Sequence, residues 1–308
     1  MRRVPEAAAF ADYEELLGVD SLEAVVICLP NALHAEAAIA ALERRKHVYL
    51  EKPLARGLDE GQRVLAAWGK AGVVGMIGFN FRFNALYQEA RTQLQAGALG
   101  AVIGARTAFS TTARQLPSWK RDREQGGGVL LDYASHLADV VHYVFDQEVR
   151  EVSASFGPPG RELDTACLEL RLSSGPVVQS FFTRDSVEEE RLEIYGTAGK
   201  LTLDRHRALQ VSIERDSGGP SRLQRTGRGL RSLFGAPYPR QKLRAPHGEP
   251  SYRAAIERFV AAARGNGSAA PDLWEGYRSL AVVAAAEESA AQGGIARPVD
   301  LAREDPRR

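Results

Sequence analysis

Three groups of residues in this 308-residue chain have the types and spacing that chemistry needs. The most informative lies in GGGVLLDYASHLAD at 126–139, where Asp132 is followed by His136. Side chains four apart on a helix share one face. A carboxylate beside an imidazole raises its pKa and orients it, as a general base requires. Asp139 follows three positions later, and Gly126, Gly127 and Gly128 let backbone approach a ligand or a neighbouring chain closely. The same Asp–His spacing could seed a metal site, but no further ligand cluster completes it, so no metal is expected. A helix carrying a satisfied Asp–His pair is the plainer reading. The second group is Glu51-Lys52-Pro53, directly after the apolar HVYL. Lys52 and Glu51 can act on a ligand while Pro53 stiffens the turn, or they form a surface ion pair. The third group is Leu29, Pro30, Asn31 and His34, after the apolar AVVIC. Here Asn31 can also serve simply as a helix cap.

The elements around these groups place them. Residues 24–29, 47–50 and 73–78 read as strands. Between them, AEAAIAALERR and residues 58–71 have apolar residues at helical spacing. Strand, helix, strand, helix, strand is a parallel α/β unit with right-handed crossovers. Ligands bind such sheets at the C-terminal edge of the strands, where the second and third groups fall. The pattern then changes. Residues 83–98 and 129–145 read as helices, and 101–113 as a long strand-like run. Six strand-like segments follow without helices between them: VSASFG, TACLELRL, VVQSFFTR, RLEIYG, KLTLD and LQVSIE. That implies a mainly antiparallel open sheet. Residues 216–250, rich in Gly, Pro and Arg, read as an irregular arm. Helices over 252–263 and 273–292 follow.

Composition narrows the function classes. Lys and Arg total 40 against 39 acids, a formal charge of +1. Such balance gives no electrostatic pull toward nucleic acid or an anionic membrane. The basic run from Arg222 to Arg244 reads as a solvated loop or an oligomer-contacting arm. Two cysteines, Cys28 and Cys167, cannot build a disulfide framework and suit a reducing, cytoplasmic setting. The apolar runs fall far short of a membrane span, and the first residues lack the apolar core of a secretory signal.

Taken together, AVVICLPNALHAEAAIAALERRKHVYLEKPLA, VVGMIGFNFRFNA, SWKRDREQGGGVLLDYASHLADVVHYVF and WEGYRSLAVVAAAEESA resemble the Gfo/Idh/MocA oxidoreductases. The resemblance covers nearly the whole chain. It implies hydride transfer between NAD or NADP and a secondary alcohol of a sugar, cyclitol or related polyol. His136 matches the position that accepts the hydroxyl proton. Lys52 matches the lysine that bonds the reacting hydroxyl and the cofactor ribose, and Asp132 the acid that contacts substrate and supports the pair. Leu29, Pro30, Asn31, His34, Glu51, Lys52 and Pro53 match positions lining the cofactor. Arg82, Trp119, Lys120 and Arg121 join Asp132 and His136 as candidates for the substrate pocket. The implied organisation is a partial Rossmann NAD(P)-binding domain over 1–80, a substrate-binding and oligomerisation domain over 81–302, and a tail over 303–308. The open face of the second sheet is the expected homo-oligomer interface.

The family's opening strand, Gly-x-Gly-x-x-Gly turn and second strand do not occur in the sequence. By comparison about sixty residues are missing, so the expected fold class is α/β plus α+β, with an N-terminally truncated Rossmann-type sheet. Phe10 would end the family's short third strand. The run AVVICL would then have an unpaired edge, and NAD(P) binding would be weak. Retention of Lys52, Asp132 and His136 favours an incomplete chain of an enzyme. The alternative is a non-catalytic sugar-binding or scaffold relative that has lost cofactor binding.

Overall fold

The structure, a computed structural model, describes residues 7–112, 116–158, 160–161, 163–215, 237–244 and 248–301. A short helix α1 (Tyr13–Leu17), capped by Asp12, precedes the first strand. Then come β1 (Ala24–Ile27), α2 (His34–Glu43), β2 (His47–Leu50), α3 (Leu58–Ala71) and β3 (Gly75–Ile77). The three strands are parallel in the order β1-β2-β3, with Val25 opposite Val48 and Leu50 opposite Ile77. Side chains alternate between the two faces of a strand. Val25, Ile27, Val48, Leu50 and Ile77 therefore enter the main core, with residues of α2 and α3. Tyr49 and Met76 point to the other face, where α7 (Ser251–Ala263) covers them with Ala255 and Phe259. The Tyr49 and Phe259 rings meet edge to face at 5.7 Å. That cover does not extend to β1, where Val26 is 51% exposed and β2 is the strand's one partner among the described residues.

The second sheet follows α4 (Ala85–Gln95). It contains β4 (Val102–Ser110), β5 (Val149–Phe156), β6 (Thr165–Leu172), β7 (Val177–Thr183), β8 (Glu189–Gly196), β9 (Gly199–Asp204), β10 (Ser212–Glu214) and β11 (Arg297–Pro298). Their order is β10-β9-β8-β4-β7-β6-β5-β11. Every pair is antiparallel except β4 with β7. Strict alternation buries Ala166, Leu168, Leu170 and Leu172 of β6 on one face. The opposite face carries Ile103, Cys167 and Phe181 in the open. α5 (Ser135–Phe145) and α8 (Leu273–Ala291) pack together on the buried side.

The α/β plus antiparallel architecture matches the sequence expectation, with four local differences. Residues 7–10 form no strand, so Phe10 ends none. The helix expected from 129 opens with a wider π turn, Leu130–Ala134. Within the expected irregular arm, Pro237–Arg244 forms helix α6, while 216–236 and the tail from 302 lie outside the described residues. The chain beyond 250 also serves both sheets. α8 touches α3 and β3 as well as β5, and the Ile77 amide donates to the Pro271 carbonyl at 3.0 Å. Asp272 and Glu275 cap α8 reciprocally, which fixes its start beside β3.

Phe259→Ala should empty the small cluster beneath β2. Equilibrium urea unfolding should show a loss of about 3 kcal/mol. A loss below about 1 kcal/mol would mean that α7 does not seal that face.

Candidate active site

The three parallel strands release their chains at one edge. β1 leads to Leu29, Pro30 and Asn31, β2 to Glu51, Lys52 and Pro53, and β3 to Phe79 and Phe81. His34 ties the first two loops together. Its Nδ1 lies 2.7 Å from the Pro53 carbonyl and its Nε2 2.9 Å from the Leu29 carbonyl. Burial pushes the pKa of His34 down. With both nitrogens facing backbone, this ring braces the edge and presents no free polar atom to a ligand. Asn31 is also buried, and its Nδ2 donates to the Gly126 carbonyl at 2.7 Å. The Lys52–Pro53 peptide is cis. Glu51 lies against Gly78, where a Cβ would come within 2.8 Å of its Oε2. Burial raises the Glu51 carboxyl's pKa against the opposing charge of Lys52.

The glycine run makes the turn into the helix. Gly126 and Gly128 have φ of +88° and +97°, which favours glycine. A Cβ on Gly127 would sit 2.5 Å from the Lys120 carbonyl. One on Gly126 would sit 2.5 Å from the Asn31 Cβ. The close approach is thus to the chain itself. The π turn that follows holds Asp132, whose carboxylate receives three cations. Lys52 Nζ donates to Oδ1 at 2.5 Å and also to the Asp132 carbonyl at 2.8 Å. Lys120 Nζ and an Arg184 Nη2 donate to Oδ2 at 3.1 and 2.9 Å. Burial alone would raise the pKa of Asp132. The charges of Lys52, Lys120 and Arg184 outweigh it and hold the acid far below the usual carboxylate range.

His136 shares the Asp132 side of the helix, but no hydrogen bond joins the two among the described residues. Its ring stacks on Phe81 at 4.5 Å, with Phe79 at 6.2 Å. Nδ1 is sealed from solvent without a partner, so Nε2 is the nitrogen that a ligand can reach. Burial and then the Lys52 charge push the pKa of His136 well down, against the opposing pull of Asp132. The ring is neutral at pH 7. The expected raising of the imidazole pKa by the carboxylate is therefore overridden by burial and the Lys52 charge, and no hydrogen bond from Asp132 orients the ring. Stacking orients the ring instead.

Trp119, Lys120 and Arg121 lie on the short turn Ser118–Arg121. Lys120 reaches Asp132, its Nζ 5.4 Å from the centre of the half-buried Trp119 ring, while Arg121 points to solvent. Arg82 is not brought to this group. Its guanidinium donates to both oxygens of Asp139, at 2.9 and 3.1 Å from Nε, and to Glu275. Asp139 is thereby an anchor between α5 and the turn after β3. Two parts of the site escaped the sequence reading. Phe79 and Phe81 stand at the third strand's end, where the edge argument used for the first two strands would have found them. Arg184 follows β7, with no local motif to mark it. Among the described residues, no group of three His, Cys, Asp or Glu could hold a metal, and no helix is long and apolar enough to cross a membrane.

Asp132→Asn would leave the buried Arg184 and the partly buried Lys52 and Lys120 without their shared counter-charge. We expect a loss of about 3 kcal/mol in folding stability at pH 7. Because the folded pKa is depressed, this contribution is complete above the unfolded value near 3.8 and declines as pH falls below it. Chemical unfolding from pH 7 to pH 3 should show the gap between the two proteins narrow only at the acid end. A constant gap would mean that Asp132 is not held ionised.

Comparison with known proteins bears on the same arrangement. Residues 2–79 match the family model for the NAD-binding Rossmann fold of an oxidoreductase family, and residues 91–301 that for its C-terminal alpha/beta domain. The oxidoreductase YrbE of Bacillus subtilis, itself uncharacterized, is 31% identical over 221 residues, 66% of this chain and 61% of that protein. The myo-inositol 2-dehydrogenase of Thermotoga maritima is 29% identical over 220 residues, 68% of this chain and 65% of that one. The chain thus spans less than two thirds of the length of these curated relatives. A levoglucosan dehydrogenase of Pseudarthrobacter phenanthrenivorans is 27% identical over 325 residues, 92% of this chain and 81% of the relative. A solved levoglucosan dehydrogenase complex with NADH and levoglucosan superimposes with a TM-score of 0.81 at 25% identity, covering 95% of this chain and 84% of the other. With both family models matched in order along the chain, the protein belongs to the Gfo/Idh/MocA oxidoreductases.

Proposed function

We propose that this protein moves hydride between NAD(P) and a secondary alcohol of a sugar, cyclitol or related polyol. One observation carries the reading: an ammonium, Lys52, is fixed by an ionised Asp132 at the C-terminal edge of a parallel sheet, beside the neutral His136. An ammonium has three N–H donors. Asp132 occupies two of those on Lys52, which leaves one for a ligand. Pro30, Asn31 and Glu51 border the same edge, so the residues present suit the nicotinamide end of the cofactor. The pyrophosphate end has no Gly-x-Gly-x-x-Gly turn in the sequence to receive it.

The bound nicotinamide would supply the hydride acceptor or donor. The chain's own residues manage the proton. His136 Nε2, neutral near pH 7, takes the proton from the reacting hydroxyl and returns it in the reverse direction. Lys52 stabilises the negative charge that develops on that oxygen. Asp132 stays an anion throughout and fixes the Lys52 ammonium. Trp119 and Lys120 offer a flat apolar face and a cation to the sugar. The open face of the second sheet, with Ile103 and Phe181, is the surface we assign to pairing with a second copy. Two unpaired cysteines fit a cytoplasmic enzyme.

The test is a screen of inositols, aldoses and anhydrosugars against NAD and NADP, followed by nicotinamide absorbance. We expect turnover with one of these classes. Lys52→Ala and His136→Ala should each lower kcat by about 100-fold or more with unchanged circular dichroism. The acid limb of kcat/KM should lie well below pH 6.5. Near-normal turnover in either variant would remove that residue from the mechanism. No turnover and no NAD(P)H binding by fluorescence titration, together with sugar binding by calorimetry, would establish the non-catalytic relative instead.

A further inference from the structure

We infer that Arg184 is a positioning residue that sets the orientation of the Asp132 carboxylate and, through it, the place of the Lys52 ammonium. The inference rests on the proposed reaction. Arg184 directly follows β7, and its side chain is 4% exposed. Both of its terminal nitrogens are engaged by the chain. An Nη2 donates to Asp132 Oδ2 at 2.9 Å and to the Gly128 carbonyl at 3.1 Å. Nη1 donates to the Lys120 carbonyl at 3.2 Å and approaches that of Leu163 at 3.5 Å. The guanidinium lies 5.4 Å from the Tyr133 ring centre, and the Arg184 amide donates to the Asp164 carbonyl at 3.0 Å.

Two consequences follow from this geometry. The planar fork spans both ends of the glycine turn, Lys120 and Gly128, and the acid one turn beyond it. Arg184 therefore fixes the turn and the carboxylate as one unit. Both terminal nitrogens are spent on these contacts and the side chain is 4% exposed, so its effect on substrate runs through Asp132. The three cations are also not equivalent. Lys52 and Lys120 are point charges on flexible stems, whereas a guanidinium imposes direction. By taking Oδ2, Arg184 leaves Oδ1 aimed at Lys52. Without the fork, the carboxylate can turn between two lysines, and the ammonium loses its fixed place beside the reacting oxygen. Small displacements of a group that touches the reacting atom are costly in rate.

The experiment compares wild type with Arg184→Lys, which keeps the charge, and Arg184→Met, which keeps the stem. Steady-state kinetics use the alcohol that the screen identifies. We expect kcat to fall about tenfold in Arg184→Lys and further in Arg184→Met, with KM for the alcohol within about threefold of wild type. The Asp132 carboxyl is also followed by ¹³C NMR titration, which needs no turnover. Its midpoint should rise in Arg184→Met and rise less in Arg184→Lys. If Arg184→Met does not fold, Arg184→Lys alone decides, through kcat and the NMR midpoint. Wild-type kcat and an unmoved carboxyl midpoint in the folded variants would overturn the inference, even if thermal stability falls. An inactive wild type whose carboxyl midpoint still shifts on substitution would overturn the proposed reaction and leave the role of Arg184 standing.

Discussion

The contact between Lys52 and Asp132 joins two parts of the chain that are 80 residues apart. Lys52 leaves the end of a parallel strand, and Asp132 sits in a π turn that opens a helix packed on the other sheet. Burying such a pair is expensive, because both ions give up water. The cost is tolerable only where further hydrogen bonds satisfy the remaining lone pairs. Here the carboxylate oxygens find Lys120 and Arg184, and Lys52 also finds the Asp132 carbonyl. The result is a pocket with more fixed positive than negative charge around one acid. That imbalance suits a reaction in which a neutral hydroxyl becomes an anion. After burial, the Lys52 charge is the next cause that keeps the neighbouring imidazole neutral.

The contact works only if the loop from Ser118 to Gly128 is held against the first sheet. Several bonds do this. The Asn31 amide donates to the Gly126 carbonyl, and Arg56 donates to the Glu124 carbonyl at 2.7 Å. Arg123 pairs with Glu287 on α8 and donates to the Arg56 carbonyl at 2.9 Å. The glycines are what allow it, since a side chain at Gly127 would strike the Lys120 carbonyl. His34 performs the matching task on the other side by fastening the loops after β1 and β2. Several residues at this edge therefore serve the frame. The groups to which we assign ligand contact are few: Lys52, Lys120, Trp119 and the outer nitrogen of His136.

Much of this was legible in the sequence. Apolar runs ended by Pro30 and Glu51 gave the parallel strands and the edge at which Lys52 stands. The spacing of Asp132 and His136 gave the shared helix face. What the spacing could not give was the choice of partners. Asp132 pairs with Lys52, Lys120 and Arg184, and only long-range folding brings the first and last of these to it. The same limit misplaced Arg82. A cation just past a strand end looks like a ligand for substrate, but its counter-charges are 57 and 193 residues away. The glycines were correctly read as permitting close approach, yet the approaching atoms belong to Asn31 and Lys120, far from them in sequence or hidden by the turn. Helix α6 is hidden in the sequence because Pro237 and Pro239 open it and its residues are mostly polar.

The enclosure of His136 against Phe81 has a consequence for how readily the ring holds a second proton. Most imidazoles that store charge keep an acceptor at the second nitrogen, which stabilises the cation once it forms. Here Nδ1 is enclosed and has nothing to donate to. The neutral ring that accepts at Nε2 already carries this N–H, and a second proton adds a buried charge beside the Lys52 ammonium. The imidazolium is therefore disfavoured on His136. In the reaction proposed above, the ring is a relay that must pass its cargo on to solvent, which would couple oxidative turnover to how readily water reaches Nε2.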